Sequence, residues 1–247
     1  MAQSVLRIYQ LSDGYCYNTD SLILAHFAKS FLRKTMRVLD VGAGSGILGI
    51  LCAREIIENL RGSVDLHLVE KDELMSFLAR KNARAFQANV HCMDFLDFND
   101  EDKFDLVISN PPFYPKTYQS KNERKDRARN QKFLPLGLML KKIKRFLNPN
   151  GVLCMCYDSR LVDELFFECR DKGLIIEKIQ FVYPLIDKDS TLVLIEAKIQ
   201  SKAFLQVLPP LFTHLSSHQK DNTKELKAIY AWAKTASVKV DSQWIQM

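Results

Sequence analysis

The run Phe104-Asp105-Leu106-Val107-Ile108-Ser109-Asn110-Pro111-Pro112-Phe113 constrains this chain more than any other stretch. Its first six residues are mostly apolar and rich in branched side chains, the pattern of a buried strand. Two prolines then stop the strand, because neither has an N–H to offer a neighbouring strand and each fixes its own φ. Asn110 is therefore held at the strand's C-terminal end on a stiffened backbone. In an open parallel sheet, that edge is where ligands bind. An amine there would meet two acceptors, the Asn110 side-chain oxygen and the Pro111 carbonyl. The Phe113 ring could stack on the ring carrying that amine. Such a corner suits transfer of a small group to a planar exocyclic amino or amide nitrogen. By itself, the same run also reads as a plain strand and a Pro-Pro turn.

Around this run the chain alternates strand and helix signals. Residues 37–41 read as the first sheet strand, running into Asp40-Val41-Gly42-Ala43-Gly44-Ser45-Gly46, and residues 47–59 continue as a helix. Residues 66–69 form a second strand with Glu70 at its end, and Asp72 caps a helix reaching about residue 87. A third strand at 90–93 ends in Asp94-Phe95. After the Asn-Pro-Pro strand come a helix at 135–146, a strand at 152–157 and a helix at 160–172. Strands at 174–183 and 192–199 follow, expected as an antiparallel pair at the sheet edge.

Ahead of the sheet, residues before Leu11 show no regular pattern, and Asp13-Gly14 signals a turn. Asp20 or Ser21 is placed to cap a helix with Leu22, Leu24, Ala25, Phe27 and Ala28 on its buried side. The tail holds Pro209-Pro210 and a helix at 224–234. The expected fold is α/β, Rossmann-like, with a mostly parallel seven-stranded sheet and helices on both faces. Without a repeat or linker, residues 1–247 are expected to form one domain. Within it, 1–35 is an N-terminal lid segment, 36–200 the core and 201–247 a C-terminal appendage.

Composition narrows the partners. At 47% hydrophobic over 247 residues, the chain can build a full core. It carries no apolar run of membrane-spanning length, and its start lacks that of a secretory signal. The six cysteines include no Cys-x-x-Cys, and Cys154 and Cys156 share one strand face, a spacing for core packing and not for a metal. No metal is expected, and the protein is expected to be reduced and cytoplasmic. The net charge of +6 is concentrated. Lys116, Lys121, Arg124, Lys125, Arg127, Arg129 and Lys132 face only Glu123 and Asp126 within one stretch, with Lys141, Lys142, Lys144 and Arg145 close behind. A one-sided basic patch suits a polyanion, although a solvated loop and helix face would look the same.

The glycines admit two chemistries. Gly44-x-Gly46-x-x-Gly49 satisfies the dinucleotide fingerprint, so an NAD-dependent oxidoreductase competes with group transfer. Asp40 weighs against it, because a carboxylate two residues before Gly42 repels a pyrophosphate but suits a cationic ligand. Glu70 fits ribose hydroxyls in either case. The Asn-Pro-Pro-Phe corner offers no acceptor site for a hydride.

Asp-x-Gly-x-Gly-x-Gly, a strand-end acid at Glu70, Asp94-Phe95 and Asn-Pro-Pro-Phe, in this order and spacing, resemble the class I S-adenosylmethionine-dependent methyltransferases. The closer likeness is to the amino-methylating branch. That resemblance implies S-adenosyl-L-methionine as cofactor. Gly42, Ala43, Gly44 and Gly46 would lie along its methionine portion, Glu70 and Lys71 by the ribose, and Asp94 with Phe95 by the adenine. Asp40, Thr19 and Asn110 complete the implied cofactor set. Asn110, Pro111, Pro112 and Phe113 would be the catalytic corner.

Two further stretches are similar to the bacterial tRNA adenine-N6 methyltransferases that act on valine tRNA. One is Gly14-Tyr15-x-Tyr17-x-Thr19-Asp20-Ser21-Leu22-x-Leu24-Ala25. The other is the basic stretch Arg124-Lys125-Asp126-Arg127-Ala128-Arg129, followed late in the chain by Pro209-Pro210 and Thr223-Lys224-Glu225-Leu226 through Tyr230. The likeness implies RNA, and tRNA in particular, as partner. Tyr114, Lys121, Arg124, Lys125, Arg127 and Arg129 would touch it, with Tyr114 also read as loop packing. The implied protein is a monomer or weak dimer.

Polar Ser217 to Asn222 replace a glycine expected before the Thr-x-Glu segment, and the tail beyond Tyr230 is longer than that family needs. Guanine N2 and a glutamine amide are the other acceptors that Asn-Pro-Pro-aromatic serves. The protein substrate goes with a separate helical N-terminal domain, and fewer than forty residues precede Asp40. An inactive RNA-binding module is the reading from outside enzymes, and the intact corner and glycine turn speak against it.

Overall fold

The computed structural model describes residues 4–13, 16–111, 134–218 and 221–244. In chain order they form β1 (Leu6–Leu11), α1 (Thr19–Ala28), β2 (Thr35–Val41), α2 (Ile47–Arg54), β3 (Ser63–Glu70) and α3 (Glu73–Ala83). Next come β4 (Asn89–Cys92), β5 (Phe104–Ser109), α4 (Leu136–Phe146), β6 (Leu147–Asp158), α5 (Val162–Asp171) and β7 (Leu174–Tyr183). The chain closes with β8 (Leu192–Ile199), β9 (Gln206–Val207), β10 (Leu211–Phe212), α6 (Lys224–Ala233) and β11 (Thr235–Val240).

The main sheet runs β4-β3-β2-β5-β6-β8-β7, so the seven strands expected from the sequence all take part. β2 is parallel to β3 on one side and to β5 on the other, which makes it the point where the strand order reverses. Ligands bind open α/β sheets in the crevice at such a point. β8 is the antiparallel strand, inserted between β6 and β7 and opposed to both. Two strands of two residues each, β9 and β10, extend the sheet along the outer side of β7. Their length leaves no periodicity for a sequence to show.

Each face carries its own apolar layer, because successive strand residues point to opposite sides. Leu106 and Ile108 of β5 join Leu24, Ile50 and Ile229 from α1, α2 and α6, while Val107 joins Phe98, Met139, Leu140 and Leu165 on the far face. α4 shows why it lies where it does: Leu136, Met139, Leu140, Ile143 and Phe146 are buried, a stripe at helical spacing. Lys141 and Arg145 of the same helix remain exposed.

The structure departs from expectation at both ends of the chain. Asn18, and neither Asp20 nor Ser21, caps α1: its backbone is extended and its side-chain oxygen accepts the Ser21 N–H at 3.4 Å. Asp20 lies inside the first turn, where the Asn18 amide donates to its carboxylate at 2.6 Å. β1, where no strand was expected, pairs in parallel with β11 from Leu6↔Thr235 to Leu11↔Val240. A strand whose partner lies at the other end of the chain has no turn to announce it. The Tyr17 hydroxyl donates to Thr235 Oγ1 at 3.1 Å and the Gln10 side-chain oxygen accepts the Tyr17 N–H at 2.8 Å. The tail therefore holds the N-terminal segment in place. Among the described residues no helix is long and apolar enough to cross a membrane.

Candidate active site

Two segments leave the sheet side by side at the switch point. Val41 of β2 is in register with Ser109 of β5, and the buried Ser109 hydroxyl donates to the Val41 carbonyl at 2.8 Å. The next residues are Gly42 and Asn110. Gly42 and Gly44 have φ of +68° and +56°, left-handed backbone that residues with a Cβ disfavour. A Cβ on Gly42 would meet nothing within 4 Å, so bare backbone borders open space there. Gly49 works differently, since its Cβ would lie 2.6 Å from a Leu68 methyl. That third glycine of the fingerprint lets α2 lie directly on β3.

The turn is fixed from β3. The Val69 carbonyl accepts the N–H groups of Gly42 and Ala43 at 3.0 Å, and Ala43 is buried. One Glu70 oxygen accepts the Gly44 N–H and the other the Asp72 N–H, both at 2.8 Å. Burial raises the Glu70 pKa, and those same N–H groups oppose the shift. Asn82 adds an anchor that sequence reasoning missed: its amide donates to the Ser45 carbonyl at 2.9 Å and to the Tyr9 carbonyl at 3.0 Å.

Asp40 lies beneath this turn and is fully buried. Its Oδ2 accepts the Gly49 N–H at 2.9 Å, and its Oδ1 has no hydrogen-bond partner among the described residues. Desolvation pushes its pKa up to about 7, against the pull of the Gly49 N–H. An anionic oxygen buried without a donor is energetically exposed to any cation that approaches.

Asn110 is half-buried at the end of β5, with Pro111 buried behind it. Its amide nitrogen donates to Ser21 Oγ of α1 at 3.3 Å, and its Oδ1 accepts the Cys156 thiol of β6 at 3.0 Å. Neither Ser21 nor Cys156 was expected at the site. Ser21 lies within the motif that carried the resemblance, whereas nothing in the sequence sets Cys156 apart from a core cysteine.

The other expected cofactor residues divide. Asp94 follows β4, which pairs in parallel with β3, so it shares a sheet edge with Glu70. Its carboxylate accepts the Leu96 N–H at 2.9 Å and lies 3.6 Å from Lys71 Nζ. The Phe95 ring is buried in the core, 6.2 Å from the Phe146 ring and 6.4 Å from the Phe98 ring, so its bulk serves packing. Gly46 caps the start of α2. The Thr19 hydroxyl is bonded to the Tyr230 hydroxyl at 2.9 Å, which ties the expected lid to α6. Pro112, Phe113, Tyr114, Lys121, Arg124, Lys125, Arg127 and Arg129 lie outside the described residues. Among those described, no three His, Cys, Asp or Glu side chains cluster in a way that could hold a metal ion.

These residues fit the cofactor that the resemblance implies. The bare backbone at Gly42 leaves room for a ligand, and the unpartnered Asp40 oxygen answers a cationic group. The Glu70 and Asp94 carboxylates stand at adjacent strand ends, where hydroxyls and an amine could donate to them.

Known proteins resemble this chain in sequence and in fold. Three curated relatives, each named tRNA1(Val) (adenine(37)-N6)-methyltransferase, illustrate the likeness. The protein from Flavobacterium johnsoniae is 28% identical over 56% of this chain and 58% of its own length. That from Actinobacillus pleuropneumoniae serotype 7 is 28% identical over 66% of this chain and 67% of its own. The Pectobacterium carotovorum protein is 30% identical over 56% and 55%. The chain thus spans between half and about two thirds of the length of the relatives it matches.

Among solved structures, one described as a predicted O-methyltransferase from Agrobacterium tumefaciens superposes with a TM-score of 0.63 at 20% identity, covering 89% of this chain and 99% of that one. Another, from Listeria monocytogenes and described under the class I S-adenosylmethionine-dependent methyltransferases, gives 0.59 at 19% identity, covering 91% and 73%. Both share the fold. The methyltransferase small domain family matches residues 16–165, a span that includes β2 to β6 and every strand flanking the crevice, and the chain belongs to that family.

Proposed function

We propose that this protein transfers a methyl group from S-adenosyl-L-methionine to the exocyclic N6 of an adenine in tRNA, in the anticodon loop, as a cytoplasmic enzyme. The observation that carries the reading is Asn110 leaving β5 directly beside the Gly42 turn, its side-chain oxygen held by the Cys156 thiol of β6. The relatives named for tRNA adenine-N6 methylation favour that acceptor over guanine N2 or a glutamine amide.

When bound, S-adenosylmethionine supplies an electrophilic methyl on a sulfonium. Gly42, Gly44 and Gly46 would line its amino-acid portion, with Asp40 near the positive charge. Glu70 and Lys71 would serve the ribose and Asp94 the adenine end, and Thr19 would close over it. The acceptor nitrogen is planar and its lone pair delocalised. Asn110 Oδ1 and the Pro111 carbonyl would each accept one of its hydrogens, draw it toward tetrahedral geometry and stabilise the positive charge that grows there. Alignment supplies most of the remaining acceleration. The product ammonium is acidic enough to lose its proton to solvent, so no strong base is required.

For the base to reach this corner it must leave its stack, which an unpaired loop adenine does readily. Phe113 and Tyr114 would receive it, and Lys121, Arg124, Lys125, Arg127 and Arg129 would hold phosphates. Incubation with methyl-labelled cofactor and total tRNA, followed by digestion to nucleosides, tests the proposal. N6-methyladenosine is expected. Label in N2-methylguanosine, in protein, or nowhere would overturn it.

A further inference from the structure

We infer that Ser21 and Cys156 are positioning residues that clamp the Asn110 amide from both ends, holding one lone pair of Oδ1 toward the acceptor amine. This rests on the proposed role of Asn110. The terminal torsion of an asparagine is broad and its oxygen and nitrogen ends are nearly the same shape. Unrestrained, the amide would present its NH2 to the incoming amine about as readily as its oxygen, and donor would face donor. Here each end has its own partner. The nitrogen donates to Ser21 Oγ at 3.3 Å and the oxygen accepts the Cys156 thiol at 3.0 Å.

The two partners come from different elements, α1 and β6, and both are buried, at 4% and 0% exposure. A carbonyl oxygen has two acceptor positions, and the thiol uses one. Desolvation raises the thiol's pKa well above its ordinary value, so it stays protonated and remains a donor. Serine at position 156 would keep a donor there, and alanine would not.

The test compares Ser21→Ala, Cys156→Ala and Cys156→Ser, alone and combined with Asn110→Ala. Each alanine variant should lower kcat for tRNA methylation about two- to tenfold, the range of one lost hydrogen bond. Cofactor affinity by calorimetry should stay unchanged, and Cys156→Ser should restore most of the lost turnover. In the Asn110→Ala background neither alanine should cost anything further.

A second measurement needs no substrate. The Asn110 NH2 resonances, identified by their absence in Asn110→Ala, should be exchange-protected in the wild type and lose protection in both alanine variants. Wild-type kcat in both, losses that repeat undiminished without Asn110, or unchanged NH2 protection would each overturn the clamp. Full turnover in Asn110→Ala would overturn the proposed function of the corner instead. Because Ser21 and Cys156 lie on different elements, failure of one variant to fold leaves the other to decide.

Discussion

Replacing Asp40 by asparagine removes the charge that this fold buries without a full set of donors. The wild-type carboxyl titrates at about 7 against an ordinary 3.8, chiefly because burial disfavours its charged form. The sign follows from which state holds the proton. Below pH 3.8 the group is protonated in folded and unfolded chains alike and contributes nothing to pH dependence. Above it, the unfolded chain gives up a proton that the folded chain keeps. Stability then falls as pH rises, by about 1.4 kcal/mol per unit, until the folded carboxyl ionises too.

Over the window from 3.8 to about 7 the loss reaches roughly 4 kcal/mol. Asparagine can still accept the Gly49 N–H and has nothing to titrate. The stability of Asp40→Asn relative to wild type should therefore rise by roughly that amount across this window and level off above it. Urea unfolding of both proteins at stepped pH reads the difference directly, provided m is unchanged. Two curves that stay parallel would refute the claim that this carboxylate is buried and short of donors. The same titration reaches the ligand. An ionised Asp40 beneath the turn would attract a positive charge bound above it, so wild-type cofactor affinity should climb with pH and level off near 7, and Asp40→Asn should bind more weakly without that slope.

Asn110→Ala should lower kcat about 10²- to 10³-fold while calorimetric affinity for the cofactor is kept, because its acceptor acts as charge develops. Gly42→Ala should cost about 1 kcal/mol in urea unfolding for its positive φ, and its methyl should also weaken cofactor binding by projecting into the open space beside the turn. Tyr230→Phe removes the hydroxyl bonded to Thr19, and thermal melts should show a loss of about 1 kcal/mol. Replacing Arg127 and Arg129 together by alanine should reduce the salt slope of RNA binding by about 1.4 with cofactor affinity unchanged. An unaltered slope would remove the basic stretch from the interface.

What could be read in the sequence is what local chemistry decides. Branched apolar residues followed by two prolines make β5 and end it at Asn110 in the only way that run allows. Asp72 caps α3 as expected, its carboxylate accepting the Leu74 and Met75 N–H groups at 3.0 Å. The glycines before α2 imply a left-handed turn wherever they sit. Tertiary structure decided what depends on partners distant in the chain. β1 is a strand because β11, more than 200 residues later, offers it an edge. Phe95 packs into the core instead of facing the crevice, and Asp40 is stranded with one oxygen unanswered because α2 closes over it. Cys156 looked like any apolar-strand cysteine, and only the register of β6 against β5 brings its thiol to Asn110. A side chain's local tendencies are written beside it, but what it touches depends on which distant segment the fold brings within 3 or 4 Å, the reach of hydrogen bonds and close packing.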